Sequence, residues 1–209
     1  MRPSLPPPGS VLLLIDLQNS IDHPSWASGG ARNNPNAEAE IGRLLTQWRS
    51  RGWPVWHIRH DSTNPKSHYR PGQPGNDFKP EVGPIDGEPI IPKRVNSAFL
   101  GTDLEERLRA GGHEALVVVG VITNNSVEST VRMAGNLGFA TYLVADGCFT
   151  FGRTDWNGVS RTADEVHAMS LANLHPEYCT VITANMLLES QGQVRLLSAS
   201  SAYVQKTTV

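Results

Sequence analysis

The sequence is poor in cysteine: two in 209 residues, Cys148 and Cys179, too few for a disulfide framework and without metal-ligand spacing. Both stand in or beside apolar stretches, where a cysteine packs as a small hydrophobe. It has no surplus of charge of either sign. Eighteen Lys and Arg against twenty Asp and Glu leave a net charge of −2, which excludes a mainly electrostatic nucleic-acid binder and an acidic disordered tail. No apolar run approaches the roughly 18 to 20 residues needed to span a bilayer. The segment VLLLI at 11–15 is too short for a signal-peptide core and runs straight into Asp16. A cytoplasmic protein with no membrane and no nucleic-acid partner is expected. No G-x-G-x-x-G follows that first apolar run, which argues against a dinucleotide site. Nor is there an internal repeat, although 19 glycines and 15 prolines make the chain rich in loops.

What is present is the composition of a folded domain: 39% hydrophobic and 18% charged residues. One domain over 1–209 is expected, with flexible ends at 1–10 and 200–209. Strand-like runs at 11–15, 54–60, 115–121, 141–145 and 179–183 alternate with helix-like stretches at 37–51, 104–110, 127–137, 162–174 and 184–189. Such alternation predicts an α/β fold of three layers, α/β/α and Rossmann-like, around a mostly parallel sheet. Thr162 with Glu165 three residues on reads as a capping box. Ligands in such sheets bind beyond the carboxyl ends of the strands. The stretch 61–89, rich in Pro, Gly, Ser and Asn, is too long for an ordinary connection. It reads as an ordered lid or an oligomer contact, tied to the body by Phe78 and Val82.

Three positions near strand ends could carry chemistry. Asp16 ends the first apolar strand, where a carboxylate is partly desolvated unless paired; its plain alternative is a turn or cap residue. Lys93 follows the apolar pair Ile90–Ile91. A lysine with a buried stem can stabilise a carboxylate or a developing negative charge, and the plain alternative is an unpaired surface lysine. The third is Ser126, in GVITNNSVESTVR from Gly120 to Arg132. There a strand ends, a polar turn follows and a helix is expected to begin, offering unpaired N–H groups beside a hydroxyl. The plain alternative for Ser126 is a helix N-cap.

The same segments carry a resemblance. GVITNNSV (120–127) is similar to the G-V-x-T-x-x-C-V signature of the isochorismatase-like hydrolases, also called the cysteine hydrolase superfamily. IDLQN (15–19) resembles that family's first-strand D-x-Q-N/D element, and Lys93 before VNSAF (95–99) its third element. The likeness runs from about Val11 to Leu188. It implies an Asp–Lys–Cys trio, with the aspartate as general base and acid, the lysine as electrostatic partner and the cysteine as nucleophile toward an amide or ureido carbonyl. Carried over, these are Asp16, Lys93 and position 126. An oxyanion site is implied at the N–H groups of Ser126 and of a residue at a cis peptide expected between Val121 and Ile122.

Position 126 is serine here, and a hydroxyl needs a base to remove its proton. Three readings stay open: an introduced trap, a working serine, or a site without covalent chemistry. The last would resemble isochorismatases proper, in which the aspartate protonates a vinyl ether. The serine is read as natural, because Asn125–Ser126 forms a coherent small polar turn. Gln18, Trp26, Asn96, Phe99 and Asn125 are the expected substrate contacts, with core packing an equal alternative for Phe99. No cofactor and no metal are expected. His57, His60, Asp61 and His68 lie close in sequence but lack the D-x-H order of the family's metal-binding branch. His167 and His175 read as packing or capping residues. The expected partner is a small-molecule substrate, and the resemblance implies a homodimer or homotetramer. A ligand-binding relative without activity is the rival from another class.

Overall fold

The computed structural model describes residues 4–189. In it the apolar run Val11–Ile15 is strand β1, with all five side chains buried. A strand buried on both faces needs a cover on each side, and the rest of the chain supplies both. Strand β2 (Val55–His60) pairs on one side, followed outward by β3 (Ile90–Lys93). On the other side lie β4 (Ala115–Val121), β5 (Ala140–Phe149) and β8 (Thr180–Ile182). The sheet order is β3-β2-β1-β4-β5-β8, and every pairing is parallel. A small hairpin of β6 (Arg153–Thr154) and β7 (Ser160–Arg161) stands apart from it.

Helix α1 (Ala37–Ser50) places Ile41, Leu44 and Trp48 against Leu12 and Leu14 on one face. Helices α2 (Leu104–Ala110), α3 (Glu128–Asn136) and α4 (Ala163–Leu174) pack Leu104, Leu108, Val131 and Leu174 toward the other face, where Leu13 and Ile15 lie. Alternate residues of β1 therefore feed two cores, as a period of two requires. This is the expected three-layer α/β/α arrangement. The capping box of Thr162 and Glu165 forms as read.

Several local expectations change. Strand β3 was not anticipated, because a proline interrupts its four residues; it lies at the sheet edge, where the missing N–H costs little. Strand β5 continues beyond 145 to Phe149. Its register against β4 slips between Val118 and Gly120, so that polar Asp146 and Gly147 are absorbed and Cys148 and Phe149 return to the core. Ser126 is not a helix N-cap. Residues Thr123–Val127 form a wide π-type turn, α3 starts at Glu128, and no side chain caps it. Residues 4–10 are placed against the body: Leu5 packs on the core, and the Trp48 indole N–H donates to the Ser10 carbonyl. The expectation for 200–209 falls outside the described residues.

The segment 61–89 is ordered, and the two expected anchors hold it. Val82 is buried, and Phe78 packs its ring edge-on to His57. Gly120 has a structural reason of its own. Its φ is +124°, and a Cβ there would overlap the backbone of Ile15, so only glycine lets β4 approach β1 this closely just before the catalytic-looking turn.

Candidate active site

Four strands end side by side, and each delivers one polar group. Asp16 follows β1, His60 ends β2, Lys93 ends β3, and Ser126 lies in the turn after β4. The registers Ile15↔Ile58, His60↔Lys93 and Ile15↔Gly120 bring the ends level. Asp16 adopts φ +53°, a left-handed conformation that asparagine and aspartate tolerate better than most residues.

Lys93 is the hub. Its side chain has no exposed surface, and its ammonium donates to Asp16 Oδ2 at 2.7 Å, to Ser126 Oγ at 3.1 Å and to the Val95 carbonyl at 3.1 Å. His60 Nδ1 lies 3.3 Å away. Three protons serve four acceptors, so the longest contact, to His60, is the shared one. The structure thus brings together the three residues named from the sequence, all buried. The second carboxylate oxygen, Asp16 Oδ1, is buried without a hydrogen-bond partner. Orphaned buried carboxylate oxygens are uncommon, and this one is available to a reacting proton.

The surroundings shift two groups beside the trio, His60 and Tyr69. Burial pushes the His60 imidazole below its ordinary value, Asp16 raises it and Lys93 lowers it again. A neutral imidazole with an accepting Nδ1 fits its place beside an ammonium. Burial pushes the phenol of Tyr69 well above its ordinary value, and the negative charges of Asp16 and Asp22 add to this. Tyr69 comes from the 61–89 segment. Its ring stands edge-on to His60 at 5.6 Å and to Trp26 at 6.2 Å. Sequence reasoning missed it, and also missed Asn76, whose amide donates to the carbonyls of His60 and Tyr69. The only advance signal was the unusual length of that segment.

The peptide between Val121 and Ile122 is cis, as the resemblance implied. The Ile122 carbonyl accepts from the N–H groups of Asn125 and Val127, which shapes the turn carrying Ser126. The turn is braced from behind. The Thr123 hydroxyl lies 2.8 Å from His167 Nδ1, and the backbone of Ala145 also acts on that imidazole. The Ser170 hydroxyl reaches both the Thr123 carbonyl and Glu128.

The five expected substrate contacts divide. Trp26 lines a cleft of about 400 Å³ together with Ile122, Phe151 and Arg153. Asn125 is half-buried in the turn, next to Ser126. Gln18 is fully buried, and its amide is consumed by backbone: it accepts from the His60 N–H and donates to the carbonyls of His60 and Asn76. It ties β1 to β2 and leaves nothing for a ligand. Asn96 is exposed beyond β3. Phe99 stacks on Phe139 and belongs to the second core, the alternative kept open for it.

Two other cavities are less suited to the trio. One of about 740 Å³ lies along α4 and, like the Trp26 cleft, includes none of the three residues in its lining. Another of about 460 Å³ is lined by Asp61, Pro92, Lys93 and Leu100, but the Lys93 side chain has no exposed surface.

The histidines have separate partners: His57 bonds Glu88, His68 stacks on His23, and His175 contacts the Cys179 carbonyl. Among the described residues no group of three His, Cys, Asp or Glu side chains could hold a metal ion. Burial pushes the Cys179 thiol up to about 12 and that of Cys148 higher, so neither supplies a thiolate. No described helix is long and apolar enough to cross a membrane.

Comparison with known proteins bears on the family and the fold. The isochorismatase domain model matches residues 10–186. The isochorismatase family protein YrdC of Bacillus subtilis, uncharacterized, is 42% identical over 177 residues, covering 85% of this chain and 93% of its own. Nicotinamidase 3 of Arabidopsis thaliana is 28% identical, covering 87% of this chain and 88% of its own. A crystal structure of an isochorismatase-family protein from Chromobacterium violaceum superposes with a TM-score of 0.87 at 58% identity, over 92% of this chain and all of that one.

Proposed function

Because this chain belongs to the isochorismatase family of hydrolases, we propose that it cleaves a small amide, ureido or related C–N substrate through an acyl-enzyme on Ser126. The observation that carries this reading is the buried ammonium of Lys93, which touches both the Asp16 carboxylate and the Ser126 hydroxyl oxygen. A bare helix cap would not need such a partner. A relative that is a nicotinamidase supports an amide carbonyl as the target.

In the proposed reaction Asp16 takes the hydroxyl proton as Ser126 Oγ attacks the carbonyl carbon. Lys93 stabilises the charge that grows on Oγ, and the N–H groups of Ile122 and Ser126 receive the oxyanion. Asp16 then returns the proton to the leaving nitrogen as the C–N bond breaks, leaving an ester on Ser126. A water molecule, deprotonated by Asp16, attacks that ester, and the proton restores the serine. No metal or cofactor takes part in this scheme. The strongly exposed Trp156 and Met169 fit a surface closed by a second copy of the chain, as a homodimer or homotetramer in the cytoplasm.

A second reading is favoured by the serine itself. Asp16 could act as an acid on a vinyl ether, with Ser126 only lining the pocket. Turnover of small amides, ureido acids and isochorismate, measured by mass spectrometry on the unaltered chain, Ser126→Ala and Ser126→Cys, separates the two. Amide or ureido hydrolysis that vanishes in Ser126→Ala is the expected result. Isochorismate cleavage that survives Ser126→Ala would overturn the acyl-enzyme reading. Absence of turnover in all three forms would favour a ligand-binding relative without activity.

A further inference from the structure

Resting on the hydrolase reading above, we propose that the substrate is a planar amide bearing a carboxylate, held flat against Trp26 and Phe151 with its acid on Arg153. The cleft of about 400 Å³ suits a single-ring molecule. Its lining is linked to the reactive centre by two chains of contact. Ile122, in its lining, accepts the hydrogen bonds that shape the turn of Ser126. Trp26 meets Tyr69, which meets His60, which touches the Lys93 ammonium.

The walls are flat and fixed. Trp26 and Phe151 stack with centroids 6.0 Å apart and planes inclined by 24°. The Trp26 indole N–H is held by the Ser20 carbonyl, and Phe151 stands edge-on to Phe149. Gly29 and Gly152 meet backbone to backbone, where a Cβ on either would collide with the other. The loop carrying Trp26 and the strand carrying Arg153 are therefore locked at a set separation, so the cleft exists before any ligand arrives. Aromatic faces at fixed positions favour a planar partner.

Charge supplies the second half. Arg153 is the one ionisable side chain in the cleft lining, and no carboxylate lines it. Its neighbour across the hairpin, Arg161, is held by Asp155 and Glu165. Arg153 has no such ion pair and no side-chain hydrogen bond among the described residues. A guanidinium left without an acid, in a cleft that also presents two aromatic faces and the hydroxyl residues Ser25, Ser28 and Thr154, offers a two-pronged donor that matches a carboxylate.

The test uses benzamide and its meta- and para-carboxylate analogues. Binding is measured by calorimetry on Ser126→Ala and on Ser126→Ala with Arg153→Gln, and turnover on the unaltered chain and Arg153→Gln. One carboxylated amide is expected to bind on the order of tenfold more tightly than benzamide, the size of a partly exposed charge-assisted contact. Arg153→Gln should abolish that advantage through KM, with kcat little changed, and 0.5 M salt should shrink it. Equal binding of all three amides, no binding of any, or an advantage that survives Arg153→Gln would overturn the proposal. Selective binding without turnover by the unaltered chain would leave the cleft standing and overturn the hydrolase reading instead.

Discussion

Replacing Lys93 by methionine tests the centre of the site through stability rather than activity. Methionine keeps most of the buried stem, so the cavity term is small. What it removes is a charge 2.7 Å from Asp16 Oδ2, with both side chains almost fully shielded. At an effective dielectric of about 20, two unit charges at that separation attract by about 6 kcal/mol. Part of that attraction is already offset by the cost of burying both ions. The variant, however, strands the carboxylate in the interior with Oδ1 already unpartnered, and it takes a donor from Ser126 Oγ and from the Val95 carbonyl. Removing one partner of such a pair costs about 3 to 5 kcal/mol, a large share of the 5 to 15 kcal/mol typical of a domain. Urea unfolding followed by tryptophan fluorescence reads this as a lower midpoint at unchanged slope. Lys93→Met combined with Asp16→Asn removes the stranded charge and should recover part of the loss. A single variant that loses less than about 1 kcal/mol, or a double variant no more stable than the single, would refute the reasoning.

Gln18→Ala is expected to cost about 2 to 4 kcal/mol, because the buried His60 N–H and the Asn76 carbonyl lose their partner; limited proteolysis should then cut faster within 61–89, and an unchanged rate would show that Gln18 does not pin that segment. Acid should destabilise the protein in two steps. Burial lowers His57, His60 and His167 below the ordinary 6.5, against opposing pulls from Glu88, Asp16 and Asp164 respectively. Their stability is therefore present above pH 6.5 and declines as pH falls through the lowered values. Burial would raise Glu38, but Arg32, its own N–H and Lys79 more than offset this and hold it at about 2, so a further loss runs from pH 4.5 down toward 2. Urea midpoints against pH for the unaltered chain and Glu38→Gln check this, and the same slope below pH 4.5 in both would contradict it.

The fold was legible because its signals are local. VLLLI and ALVVVGV read as strands buried on both faces, and Thr162 with Glu165 marks a helix start without tertiary help. Boundaries failed where tertiary packing overrode local pattern. Pro92 hid β3, and Asp146–Gly147 hid the second half of β5, which a slip in register restores to the sheet. The strand ends marked Asp16, Lys93 and Ser126 only as candidates, each with a plain alternative, and it was the family resemblance that singled out the trio. Gln18 was misread, because a polar residue beside a site looks like a ligand contact until its backbone partners, 42 and 58 residues away, are seen. Tyr69 was unreadable for the same reason: nothing in its own neighbourhood says that 61–89 folds back over Asp16.

The element most sensitive to the identity of residue 126 is the ammonium of Lys93. It has three protons and four acceptors within reach, Asp16, Ser126, the Val95 carbonyl and His60. A thiol at position 126 would ionise beside that ammonium and form an ion pair, drawing a proton of Lys93 away from its other acceptors. A hydroxyl stays neutral and accepts a weaker bond, which leaves the shortest contact with Asp16. The carboxylate is then the strongest base in contact with the hub, and Oδ1 has no competing donor. In the proposed acyl-enzyme reaction, serine therefore shifts the burden of activating the nucleophile onto Asp16, whereas with cysteine the lysine alone would carry much of it. Ser126→Cys should accordingly tolerate Asp16→Asn better in its first, acylating step than the serine form does. In burst kinetics on an activated ester, equal losses of that step in both backgrounds would show that the proton path does not depend on which nucleophile Lys93 holds.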